Sequence, residues 1–177
     1  MSHGIKPMKD GRPVEIERKY LITPPDRNTM DIIEKCPRYD CSRIEQVYIN
    51  GENGEGGRIR RRDYKDGCRY YYTFKQEING ISRFETEYEI SKEKYDTLAE
   101  TILDGTHPIR KYRHCFEYKN QLFELDIYDF DKSFSTLELE LENEEQQVIL
   151  PDFIDVIADV TGDKRFRNFT LAHNGGM

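Results

Sequence analysis

The feature that most constrains this chain is a series of strand-like segments in which charge recurs at every second residue and whole segments carry one sign. In a β-strand, residues i, i+2 and i+4 share one face. Val14 to Ile22 places Glu15, Glu17 and Lys19 together. Arg58 to Arg62 gives Arg58, Arg60 and Arg62; Arg69 to Gln76 gives Thr73 and Lys75; Arg83 to Ile90 gives Glu85, Glu87 and Glu89. Ile109 to Tyr118 adds Lys111 and Arg113, Leu122 to Asp129 adds Glu124 and Asp126, and Thr136 to Glu142 adds Glu138, Glu140 and Glu142. The opposite faces are apolar: Ile16, Ile59, Phe74, Tyr88, Leu125, Ile127, Leu137, Leu139 and Leu141.

For any one segment, an antiparallel sheet with one wet face explains the alternation. Taken together the segments fit that picture poorly, because a solvated face mixes Thr, Ser, Lys and Glu, whereas these faces are sorted by sign. Like charges on one face repel by a few tenths of a kcal/mol or more. Divalent cations would neutralise the carboxylates, and a polyanion would neutralise the Arg and Lys set. With Arg43 to Ile49 the strands number about eight, which is enough to close a barrel. If the charged faces point inward, both signs line one lumen and the apolar faces point out, to be covered by helices. Hard cations such as Mg²⁺ take carboxylate and phosphate oxygens, and Arg matches phosphate bidentately. Such a lumen suits a metal–polyphosphate complex.

Four helices are predicted: Asn28 to Lys35, Lys92 to Leu103 with Ser91 as N-cap, Glu144 to Ile149 stopped by Pro151, and Phe166 to His173 ending before Gly175 and Gly176. Asn79-Gly80 is a hairpin signal. No internal repeat or linker interrupts the 177 residues, which read as one α+β domain, residues 1–177, with a core from about 14 to 172.

With 34 acidic against 27 basic residues the net charge is −7, which argues against nucleic acid as a partner. No apolar run reaches membrane-spanning length, and Met1 to Val14 lacks the apolar stretch of a secretory signal, so a cytoplasmic protein is expected. Cys36, Cys41, Cys68 and Cys115 form no CxxC pair and are expected as reduced thiols rather than zinc ligands. There is no GxxxxGK[ST] phosphate loop.

The ordered motifs resemble the CYTH family, the triphosphate tunnel metalloenzymes, and most of all its short bacterial inorganic triphosphatases. Glu15-Ile16-Glu17-Arg18-Lys19 matches the ExExK signature. Arg58-Ile59-Arg60, Thr73-Phe74-Lys75, Ser82-Arg83, Glu87-Tyr88-Glu89-Ile90, Lys111-Tyr112-Arg113, Phe123-Glu124-Leu125-Asp126 and Leu137-Glu138-Leu139-Glu140 follow in family order. Asp163-Lys164-Arg165-Phe166-Arg167-Asn168 resembles the family's DKRY-x-N segment, with Phe166 where many relatives have Tyr. The loop from Gly51 to Gly57 is longer and more acidic than in the family.

The resemblance implies an eight-stranded antiparallel barrel and Mg²⁺ or Mn²⁺ as cofactor. The implied reaction is hydrolysis of inorganic triphosphate or a related triphosphate, or alternatively cyclisation of ATP to cyclic AMP as in class IV adenylate cyclases. It implies Glu15, Glu17, Glu138 and Glu140 as metal ligands, and Arg58, Arg60, Lys75, Lys111 and Arg113 on phosphate oxygens. Lys164 and Arg165 are candidates to cap the tunnel, or to interact with a helix end. Asp126, Glu87 and Glu89 are ligands or water-positioning groups. Lys19 orients the attacking water, clamps phosphate, or serves as a base if its pKa is lowered. Arg62 and Glu142, at strand ends, read as structural. The partner is a triphosphate-bearing small molecule, and a homodimer is possible.

Overall fold

A computed structural model describes residues 8–9, 11–51 and 56–174. Ten strands form one connected antiparallel system: β1 (Met8–Lys9), β2 (Arg12–Ile22), β3 (Asp40–Ile49), β4 (Gly57–Tyr64), β5 (Gly67–Glu77), β6 (Ser82–Ile90), β7 (Ile109–Tyr118), β8 (Gln121–Tyr128), β9 (Ser135–Glu140) and β10 (Val156–Asp159). Three helices accompany them: α1 (Arg27–Ile33), α2 (Lys92–Ala99) and α3 (Asn168–His173). The neighbour order β2-β6-β5-β4-β3-β7-β8-β9 closes through a β9–β2 pairing, so eight strands make the barrel. β2 is shared along its length: Val14–Ile16 pair with β6, Glu17–Ile22 pair with β9, and β10 joins at Tyr20–Ile22. Neither β1 nor β10 has a strong alternation, and neither is read from the sequence.

The charged faces do point inward, and most of the apolar faces are covered from outside. Val14, Ile16, Ile22, Leu125, Leu137 and Leu139 pack with Ile33 of α1 and Ile154. Val47, Ile49 and Ile59 pack under Tyr95 and Leu98 of α2. At one barrel end the filling turns apolar, with Ile109 and Tyr128 packed against Leu171 and Ala172 of α3. The outer face of β5 and β6 is the exception, and leaves Phe74 40 % and Tyr88 53 % exposed.

Asp26 caps α1 and Ser91 caps α2 by accepting the backbone N–H groups of Thr29 and Lys94. The second helix stops at Ala99, short of the expected Leu103. Thr101 turns back onto the Leu98 carbonyl, Ile102 bridges Ile49, and the Leu103 N–H donates to Tyr48. Glu144 to Ile149 is not helical. Gln121 bonds the Gln147 carbonyl and the Ile149 N–H, while Val148 and Leu150 reach the core with extended spacing. The predicted terminal helix divides into a 3-10 turn (Lys164–Phe166) and α3, because Arg167 is extended at φ −72° and ψ 136°. Gly175 and Gly176 lie outside the described residues, as do residues 52–55 of the acidic loop. All four cysteines are free thiols. Among the described residues no helix is long and apolar enough to cross a membrane.

Candidate active site

A cavity of about 570 Å³ fills much of the lumen, lined by nine carboxylates and eight cationic side chains. The barrel order sorts them. Acidic strands β8, β9, β2 and β6 are consecutive, and β5, β4, β3 and β7 supply the basic half, with β3 contributing Ser42 and Gln46 rather than charge. Lys19 and Arg83 are the two cations set into the acidic half.

The two halves neutralise each other where they meet. At the β5/β6 junction, Lys75 Nζ lies 2.7 Å from Glu15 and 3.1 Å from Glu85. Arg58 lies 3.9 Å from Glu85 and 3.7 Å from Glu87, and Arg60 is 3.7 Å from Glu87. At the β7/β8 junction the contacts are more deeply buried. Arg113 donates to Asp126 at 2.7 Å and to Glu138 at 2.9 Å, and also pairs with Glu124. Lys19 closes this group on Glu138 at 2.7 Å. Ion pairs between the strands therefore offset the like-signed faces, a source of neutralisation that strand patterning alone does not reveal.

These contacts set the charge states. Burial opposes ionisation of Glu138, but Lys19 and Arg113 hold it well below the usual carboxylate range. Burial likewise opposes the Lys19 ammonium, and Glu138 more than compensates, so Lys19 is firmly protonated. In this arrangement Lys19 stands as a cation beside Glu138. Glu17 is different: burial, Glu138 and Glu15 push its carboxyl up to about 7, with Arg83 at 3.5 Å only partly opposing them. Burial and neighbouring Arg58 bring Arg60 down to about 10, so it stays charged at neutral pH. The Nε groups of Arg58 and Arg60 are buried with no partner among the described residues, which is the condition of donors waiting for an acceptor.

Most residues singled out in the sequence line this cavity: Glu15, Glu17, Lys19, Arg58, Arg60, Lys75, Glu87, Arg113, Glu138 and Glu140. Five do not. Lys111 and Asp126 are fully buried, paired with each other behind the lining, where their strand-face phase is right but the wall has closed over them. Glu89 lies further along β6 and lines a second cavity with Arg62, Tyr64 and Glu124. Lys164 and Arg165, on the 3-10 turn, are exposed and do not line the cavity; Arg165 is 82 % exposed and paired with Asp163, while Lys164 stands within electrostatic reach of Glu77. Arg62 is not merely structural in position, because it borders both cavities and bonds Ser42. Glu142 is exposed beyond β9.

One carboxylate oxygen from each of Glu15, Glu85 and Glu140 lies within 4.8 Å of the others. An all-oxygen set of this kind suits a hard divalent cation. The Lys75 ammonium, bridging Glu15 and Glu85, stands where positive charge is favoured. Glu138 is instead committed to Lys19 and Arg113, and Glu17 sits beside the trio. Glu85 and Arg83 extend the same period-two face as Glu87, so that signal was available for both. Arg167 also lines the cavity; it falls inside the Asp163–Asn168 segment noted in the sequence, but at the position that motif leaves unspecified.

Comparison with known proteins agrees with this architecture. The model of the CYTH domain matches residues 13–165. An inorganic triphosphatase of Acetivibrio thermocellus is 32 % identical over 161 residues, covering 90 % of this chain and 94 % of that protein. The crystal structure of the inorganic triphosphatase NE1496 superposes with a TM-score of 0.56 at 27 % identity, over 90 % of this chain and 94 % of that one. The PH1819 protein of Pyrococcus horikoshii shares the fold, with a TM-score of 0.52 at 19 % identity over 74 % of this chain and 80 % of its own. A charged eight-stranded tunnel and a family match over most of the length lead to one assignment: the chain belongs to the CYTH family.

Proposed function

We propose that the protein is a divalent-metal-dependent phosphohydrolase acting on inorganic triphosphate or a closely related triphosphate, with Mg²⁺ or Mn²⁺ as cofactor. The observation that carries this reading is the division of one lumen into an acidic and a basic half. Glu15, Glu85 and Glu140 would hold the cation, with Glu17 beside them. The ion supplies charge neutralisation and polarisation of phosphoryl oxygens when bound. On loading, the carboxylates would be freed from Lys and Arg to hold the cation, and Lys75, Arg58 and Arg60 would be freed to bind phosphate oxygens. Lys75 holds Glu15 at 2.7 Å, but their other contacts across the β5/β6 junction are 3.1–3.9 Å and Lys75 and Glu87 are partly open to solvent, which favours that exchange. Arg113 binds phosphate with less freedom, because Asp126 and Glu138 fix its fork. Lys19, pinned to Glu138, acts as a fixed positive charge rather than as a base.

Hydrolysis and cyclisation of ATP share the metal and the phosphate clamp and differ in the nucleophile. Product analysis with inorganic triphosphate and with ATP, each with Mg²⁺ or Mn²⁺, separates them. Orthophosphate release from inorganic triphosphate is the expected outcome. Cyclic AMP as the main ATP product, with no release from inorganic triphosphate, would overturn the hydrolase reading.

A further inference from the structure

Arg167 lines the cavity from the start of α3, and among the described residues its guanidinium is held by Glu77. Its Nη1 donates to Glu77 Oε2 at 2.9 Å and its Nη2 to Glu77 Oε1 at 3.3 Å. Glu77 is the last residue of β5 and continues the lumen face of Thr73 and Lys75. It therefore lies roughly 6.6 Å beyond Lys75 along the wall, at about 3.3 Å per residue. The pair thus stands one step outside the cluster of Lys75, Glu15 and Glu85.

Two turns fix this position. A Cβ on Gly162 would lie 3.0 Å from the Gly80 carbonyl oxygen, so the turn before α3 rests directly on the β5–β6 hairpin. Thr161 Oγ1 accepts the backbone N–H of Lys19 at 3.0 Å, tying the same turn to β2. The backbone carrying Arg167 is anchored, while the ion pair itself is not. The side chains are 30 % and 53 % exposed, and pairs so open to solvent contribute little. A phosphate oxygen is a stronger acceptor for the Arg fork than a hydrated carboxylate. Glu77, held below the usual carboxylate range by Arg167, is ionised at neutral pH and repels an incoming polyanion when left alone.

We propose that Arg167 is a specificity-determining residue that leaves Glu77 to grip the outermost phosphate of a bound linear polyphosphate, with Glu77 as its internal competitor. This rests on the triphosphate reading above. The pair sets a length requirement: a triphosphate anchored at Lys75 reaches Arg167, and a diphosphate does not.

The test compares wild type, Arg167→Ala, Arg167→Lys, Glu77→Gln and the double variant Glu77→Gln/Arg167→Ala. The readouts are KM and kcat with inorganic triphosphate at saturating Mg²⁺, calorimetric triphosphate binding, and inhibition by pyrophosphate. Arg167→Ala raises KM about tenfold, more than it lowers kcat, the size of one lost charge-assisted bond. Arg167→Lys recovers part of that loss. Glu77→Gln lowers KM about threefold by removing the competitor, and this gain is absent in the Ala background. Pyrophosphate inhibition changes less than twofold in every variant. A merely structural clasp would move Arg167→Ala and Glu77→Gln in the same direction, with parallel losses of melting temperature, and that result overturns the proposal. If wild type neither hydrolyses nor binds triphosphate, the functional reading fails with it; if wild type does both and the opposite-sign pattern is missing, only the role of Arg167 fails.

Discussion

Replacing Asp126 by Asn tests whether the β7/β8 junction is scaffold rather than substrate contact. Asp126 is fully buried and accepts from Arg113 Nε and Nη2, both at 2.7 Å, and from Lys111. Arg113 keeps Glu124 and Glu138 in the variant, whereas Lys111, itself fully buried, loses its ion-pair partner. Stranding one member of a buried pair costs about 3–5 kcal/mol. For a chain of this size each kcal/mol shifts the melting temperature by about 2–4 °C, so a fall of roughly 6–20 °C is expected near pH 6.

The loss should depend on pH in a defined direction. Burial already brings the Lys111 ammonium down to about 8 against the pull of Asp126, and without that carboxylate it falls further. A lysine with a depressed folded pKa releases its proton in the folded state before the unfolded chain does. Its contribution to stability is present at high pH and is lost as pH falls through the folded pKa. Wild type completes that loss near pH 8, and the variant continues to lose stability below it. The difference between the two therefore grows from pH 9 to pH 6. Thermal melts in EDTA across this range read it directly. A gap that stays constant with pH, or a fall of less than about 2 °C at pH 6, would refute the buried-pair account.

Inorganic triphosphate should raise the melting temperature of the wild type, by up to the equivalent of about 2.7 kcal/mol at a hundred times its Kd, with a larger shift when Mg²⁺ is added; a flat titration in both conditions would count against the tunnel as a polyphosphate site. Gly162→Ala should lower stability by about 1–2 kcal/mol, read as a lower denaturant midpoint, because φ is +75° and the new Cβ meets the Gly80 carbonyl; an unchanged midpoint would show that the two turns are not in contact.

How far the sequence reveals this molecule depends on what periodicity can carry. Seven of the eight barrel strands are legible because inward charge alternates with outward apolar residues, and the phase of Glu15, Arg58, Lys75 and Glu140 fixes the face they use. Periodicity gives phase but not depth. Lys111 and Asp126 share the phase of Arg113 and Glu124, yet lie where Tyr128 and α3 close the barrel end, so they are sealed in. Glu89 shares the phase of Glu87 but lies at the other cavity. The segment from 144 to 150 misleads because its hydrogen-bond partners, Gln121, Ser82 and Asn79, are distant in sequence. Arg167 is hidden for a related reason: its role depends on a turn resting on a hairpin some eighty residues away.

The order of signs along the chain, acid, base, base, acid, base, acid, acid, looks scattered until the strand order is applied. Pairing places β6 beside β2 and β9 beside β2, so three acidic strands become neighbours, with β8 completing the arc. The acidic and basic halves then adjoin along two lines, and the two differ. Along β7/β8 the contacts to Arg113 are 2.7–2.9 Å, and Asp126 and Lys111 have no exposed surface. Breaking them strands buried charge, so this line keeps its geometry. Along β5/β6 the Lys75–Glu15 pair is as short, at 2.7 Å, but the other pairs are 3.1–3.9 Å, and Lys75 and Glu87 remain partly open, at 24 % and 32 % exposure. Exchanging partners there strands nothing, provided a cation and a polyanion arrive together. One line of the barrel is thus built to hold Arg113 still, and the other to release Lys75, Arg58 and Arg60 to a ligand carrying both signs of charge.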